Sequence, residues 1–101
     1  MKLNFYVLRK VKKMAKYKVG DRVRIVSERP DSYAFADEMC EYLGKDMTID
    51  NVFNSGKPSY MMREDKGKPE FYLARLLLGD IADGWTWMED WISGLAQEDP
   101  N

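Results

Sequence analysis

The chain has 101 residues, of which 45% are apolar and 33% charged, with a net charge of −1 and no histidine. That length holds one domain, and a domain so short buries only about 60–70% of the surface its unfolded chain exposes, leaving little room for a deep substrate cavity. The missing histidine excludes imidazole-based nucleophile activation, imidazole proton transfer and histidine-containing zinc sites.

The charge is unevenly placed. Residues 1–18 carry seven basic groups and no acidic one, so the remainder stands at −8, and from Asp80 onward there are six acidic residues and no basic one. Residues 1–15 therefore read as a basic arm, with the pattern allowing either a helix or a segment without regular structure. Their apolar residues, Leu3 to Leu8, precede the charges, which is the wrong order for a signal peptide. A second reading takes Met14 as the natural start, because Met14-Ala15-Lys16-Tyr17-Lys18-Val19-Gly20-Asp21 resembles a complete protein beginning. The single cysteine, Cys40, rules out an internal disulfide and fits a reducing, cytoplasmic location. No apolar run approaches the roughly 18 residues of a membrane span.

Gly20-Asp21 is a turn signal, and Arg22-Val23-Arg24-Ile25 alternates with the period of a half-buried strand. A loop follows at residues 29–32. Residues 36–43 suit a short helix, with Met39 and Leu43 at helical spacing and Gly44 as its stop. Met47 and Ile49 begin a second strand that continues, after a bulge, into Val52-Phe53. Asn54-Ser55-Gly56 signals a hairpin, and Tyr60 and Met62 share one face of a third strand, with Met61 and Arg63 on the other. The charged stretch 64–68 is a loop. A helix is expected over residues 70–78, stopped by Gly79. Trp85 and Trp87 alternate with Thr86 and Met88 as a short fourth strand, residues 88–95 form a last helical turn, and residues 97–101 are a polar tail.

These elements describe a mainly β (α+β) domain over residues 16–96, a small partly open barrel with short helical insertions. Tyr17-Lys18-Val19-Gly20-Asp21-Arg22-Val23-Arg24-Ile25 resembles the first strand of many SH3-like barrels. Glu41-Tyr42-Leu43-Gly44-Lys45, Tyr60-Met61 and Trp85-Thr86-Trp87 extend the likeness. Together they resemble the short SH3-like proteins of phages and prophages of Gram-positive bacteria and, more distantly, the mind-bomb type of SH3-like repeat. The resemblance covers residues 16–64 and 84–95. It implies a binding role and a mobile-element origin, and transfers no catalytic residue. Residues 65–83 depart from it as an insertion. Phe71, Leu73, Leu76, Leu77 and Leu78 are too apolar to leave in water, so the insertion is expected to dock on the barrel, a second copy of the chain, or a partner.

No catalytic constellation emerges, and no cofactor or metal is expected. Cys40 lies between Glu38 and Glu41, which disfavour a thiolate. Asp37, Glu38 and Glu41 read as a solvated helix face, not a calcium loop. Glu64 and Asp65, as neighbours on an extended segment, point to opposite sides and cannot share one site. The best functional candidates are aromatic: Tyr33, Phe35 and Trp91, at least one of which is expected to be exposed against a partner. The acidic set Asp80, Asp83, Glu89 and Asp90 supports a narrower version, an inhibitor of a bacterial defence system of the anti-CRISPR type that imitates nucleic-acid phosphates. Nucleic-acid binding through the basic arm competes with both, opposed by the −8 body and by the absence of interleaved aromatic and basic residues. A membrane-surface role is weaker still, since the arm lacks an amphipathic helical pattern. The expected function is thus a non-catalytic protein-binding accessory module.

Overall fold

In the computed structural model, which describes residues 14–54 and 56–96, the first regular element is β1 (Arg22–Ile25). Its alternation works as the sequence requires: Val23 and Ile25 are buried, and Arg22 and Arg24 face outward. The basic arm before Met14, the tail at 97–101 and Ser55 of the hairpin turn lie outside the described residues.

A long connection leads from β1 to the next strand. Phe35 turns into the core from it, and a 3-10 helix (Asp37–Tyr42) buries Met39 and Tyr42. The expected helix over 36–43 is thus present but wound more tightly. Three-residue spacing brings Met39 and Tyr42 onto one side, so the tighter winding suits the buried pair. The Gly44 amide donates to the Val26 carbonyl at 3.0 Å and closes the connection.

β2 (Asp46–Phe53) is the longest strand and serves two neighbours. Its first half pairs antiparallel with β1, placing Met47 opposite Val23. Its second half pairs with β3 (Ser59–Met62), placing Val52 opposite Tyr60. The register shifts between Ile49 and Asn51, where the bulge was expected. A bulge bends and twists its strand, which lets the sheet wrap around one core. Cross-strand charges hold the outer face: Arg24 donates to Asp46 at 2.8 Å, and Arg22 donates to Glu64 at 3.1 Å.

β4 (Thr86–Met88) adds to β3, with Trp87 opposite Tyr60. A 3-10 turn (Glu89–Trp91) then leads into β5 (Ile92–Leu95), which returns to pair with β1. Residues 88–95 were expected to be helical, and this corrects that reading. Gly94 and Ser93 give the segment little pattern of its own, and its extended form comes from hydrogen bonding to β1. The strand order is β4-β3-β2-β1-β5, five strands instead of four, antiparallel throughout. β4 and β5 are the two edges, and the sheet does not close. The domain is therefore mainly β, with short helical pieces.

The core is aromatic at its centre. Trp87 is fully buried, with Phe35 and Tyr42 standing edge-on to it at 5.7 and 5.9 Å between ring centroids, and Phe35 meets Trp91 at 5.1 Å. Val23, Ile25, Met47, Ile49 and Met62 complete it from the sheet.

Between β3 and β4 the chain makes its large excursion. A 3-10 turn (Pro69–Phe71) runs into α1 (Tyr72–Leu78), and a further 3-10 turn (Gly79–Ala82) brings the chain back. The neck of this excursion is tied. The Gly67 amide donates to both the carbonyl and the side chain of Asp83, and the Trp85 amide donates to Asp65.

Candidate functional site

α1 has local reasons to form. Pro69 starts the preceding turn, where a missing amide hydrogen costs nothing. Leucine, alanine and arginine are strong helix formers. Gly79, at φ 79°, then takes a left-handed conformation that side chains resist and stops the helix.

The orientation of α1 is the informative feature. With about 100° between successive residues, Tyr72, Leu76, Leu73 and Leu77 fall along one continuous stripe. That stripe faces solvent: Leu73 is 70% exposed, Leu76 64%, Leu77 80% and Tyr72 56%. Leu78 is exposed as well, and no residue of α1 is buried. The half-buried positions are Ala74 and Arg75, and the Arg75 guanidinium donates to Asp83 at 2.6 Å. The usual amphipathic arrangement is inverted, with the small and charged residues turned to the body and the leucines turned out. Of the three surfaces the insertion is expected to dock on, the barrel is therefore not the one that the leucines cover. Only Phe71, at its base, packs inward, edge-on to Trp85 at 4.8 Å. Full burial of one leucine stabilises by about 1.5–3 kcal/mol, so four exposed leucines leave on the order of 5 kcal/mol of burial unused.

The scaffold beneath α1 is rigidly wired. Asp65 has no exposed surface; its Oδ2 accepts from the Trp87 indole at 2.9 Å and from the Trp85 amide at 3.3 Å, while its Oδ1 has no hydrogen-bond partner. Burial pushes its pKa up to about 6, against the pull of those hydrogen bonds. Gly84 lies against the same carboxylate, and a Cβ there would sit 2.7 Å from Oδ1. Glu64 turns elsewhere, accepting from the Thr48 amide at 2.7 Å and the Thr48 hydroxyl at 2.9 Å. The two adjacent carboxylates thus have separate partners.

The sequence candidates are scattered by the fold. Tyr33 is fully exposed on the loop after β1, beside an open hollow formed by Arg29, Pro30, Asp31 and Ser32. Phe35 and Trp91 are core residues, 1% and 6% exposed, and offer no face to a partner. Phe35 comes from an irregular segment that folds back onto Trp87, and Trp91, from the 3-10 turn before β5, packs against Phe35. Among the acidic candidates, Asp83 accepts from Arg75 and the Gly67 amide. Glu89 accepts from the Tyr60 hydroxyl at 2.6 Å and the Lys16 amide at 3.0 Å, and Asp90 pairs with Lys57 at 3.0 Å. These carboxylates brace different elements and do not form one free face. The side chain of Asp80 lies outside the described residues.

The Tyr60 hydroxyl is held among these groups, with its pKa pushed up to about 12 by burial and by donation to Glu89. Among the described residues, no group of three or more Cys, Asp or Glu side chains stands together as a metal site. No helix there is long and apolar enough to cross a membrane. Cys40 is half-buried against the core.

The leucine stripe was legible as apolar helix periodicity, but nothing local shows which way a helix turns. One signal was available: Arg75 sits on the helix eight residues before Asp83, and their pairing fixes the inward face. Compared with known proteins, the chain matches no family model, no curated protein and no solved structure.

Proposed function

We propose that this chain is a non-catalytic protein-binding module of SH3-like type, and that α1 is its contact surface. The observation that carries the reading is the outward leucine stripe on a helix whose polar side is pinned inward by Arg75 and Asp83. An exposed apolar patch of this size on a small domain marks an interaction site. The strand order supports an SH3-like arrangement, with a long connection after β1, a shared and bent β2, and a 3-10 turn before β5. The sequence resemblance to short phage and prophage proteins fits a compact accessory role. The absence of histidine supports a role without chemistry.

The test is site-specific photo-crosslinking of the full chain in its own cells. A photo-reactive side chain replaces Leu76 in one variant and Tyr33 in another. Protein adducts from position 76 and none from position 33 are the expected result. Adducts from position 33 alone would move the contact surface to the loop and end the proposal.

A further inference from the structure

Resting on α1 as the contact surface, we infer that its occupant is a second copy of the same chain, packed helix against helix about a two-fold axis.

Area is the first argument. Tyr72, Leu73, Leu76 and Leu77 expose a continuous patch of roughly 500 Å² per chain, within the range of the largest patch on a typical monomer. Covering it with its own copy removes about 1,000 Å² in total, the area a small specific interface has to reach. The patch matches what a modest dimer needs without recruiting other surface.

Electrostatics is the second argument. Arg75, the charged residue within α1, is already neutralised inside the chain by Asp83. Two copies therefore meet without an unpaired charge on the helix. The whole chain carries only −1, so long-range repulsion between copies is weak.

Geometry is the third argument. A two-fold interface is isologous and uses the same patch twice. Antiparallel crossing of two seven-residue helices sets the stripe of one against the stripe of the other, leucine on leucine, with Tyr72 at each rim. Because α1 stands at the end of a tied neck and none of its residues is buried, it can enter such a pair without rearranging the core.

The experiment uses the full chain and sedimentation velocity across a concentration series. The wild type should pass from monomer to dimer as concentration rises from about 5 to 500 μM, the span that brackets a dissociation constant in the tens of micromolar. Two charged variants follow, Leu73→Lys with Leu76→Lys, and Leu73→Glu with Leu76→Glu. Both positions are exposed, so native tryptophan fluorescence should be retained. Each variant alone should remain monomeric at 500 μM, and mixing them should restore a dimer containing one of each. A wild type that stays monomeric at 500 μM overturns the inference, as does a charged variant that still dimerises alone. If instead position 76 crosslinks to a different protein while the chain is monomeric, the two-fold pair is wrong and the contact surface on α1 stands. If position 76 crosslinks to nothing, the contact surface itself is wrong.

Discussion

Replacing Asp65 with asparagine should remove a pH dependence built into the centre of the domain. The carboxyl group has no exposed surface, and burial lifts its pKa from 3.8 to about 6. A rise of two units corresponds to about 3 kcal/mol between the protonation states. The folded chain holds this proton more tightly than the unfolded chain does. The penalty is therefore fully present above the folded value of about 6, and it is relieved as pH falls toward the unfolded value near 4. Stability should rise by about 2 kcal/mol between pH 7.5 and 4.5 from this group. Other carboxylates act with the opposite sign. Asp21, Asp46 and Asp83 are lowered by hydrogen bonds from the Lys18 amide, Arg24 and Arg75 respectively. Their contribution is present above the unfolded value near 4 and is lost only as pH falls further. Glu64, raised by burial but lowered on balance by the Thr48 amide, starts to lose its contribution near its unfolded value of 4.5, so the window from about 6 down to 5 isolates Asp65. Asparagine keeps an acceptor for the Trp87 indole but does not titrate. Urea unfolding followed by tryptophan fluorescence, at half-unit pH steps, should give a rising profile for the wild type and a flat one for Asp65→Asn. Parallel profiles would refute the burial argument.

Gly84→Ala should cost about 1–3 kcal/mol, because its Cβ would meet Asp65 Oδ1 at 2.7 Å. Most of that cost should vanish in an Asp65→Ala background, so a double-mutant cycle showing simple additivity would disprove the contact. Reversing Glu89 to lysine takes the acceptor from the Tyr60 hydroxyl, while the Lys16 amide keeps that hydroxyl as its own acceptor, and should cost about 2 kcal/mol. Reversing Asp90, an exposed partner of Lys57, should stay within about 1 kcal/mol. At roughly 4–8 °C per kcal/mol, thermal unfolding separates these two, and equal losses would contradict the Tyr60–Glu89 geometry.

Local pattern carried much of the sheet. Val23 and Ile25 alternate with two arginines, the bulge after Ile49 sits between two apolar pairs, and Gly44 and Gly79 fall where their helices end. β5 was hidden because only Ile92 of its four residues is buried, so its extended form depends on β1, more than sixty residues earlier. Phe35 and Trp91 were misplaced for a related reason. Neither neighbourhood shows its distant partner: Phe35 packs on Trp87, and Trp91 packs on Phe35. The candidate site was the least legible part. A stripe at 72, 73, 76 and 77 is the ordinary signature of a buried helix face, and the same pattern serves equally for a face buried only on association. Asp65 lay in plain view beside Glu64, but its role depends on tryptophans twenty and twenty-two residues later.

The place of β1, between β2 and the edge strand β5, has a consequence for how the chain is born. β2 and β3 are neighbours in sequence and can pair early, and β1 can join them from the preceding connection. Its other edge must wait for β5, which pairs Val23 with Leu95 across most of the chain length. During synthesis, at about 5–20 residues per second, β1 therefore spends seconds as a bare edge, the kind that recruits strands from other chains. Arg22 and Arg24 alternate along it and project outward. Charged side chains on an unpaired edge act as gatekeepers against that recruitment. The two arginines thus protect a nascent sheet before its last strand arrives, and in the finished fold they turn to Glu64 and Asp46.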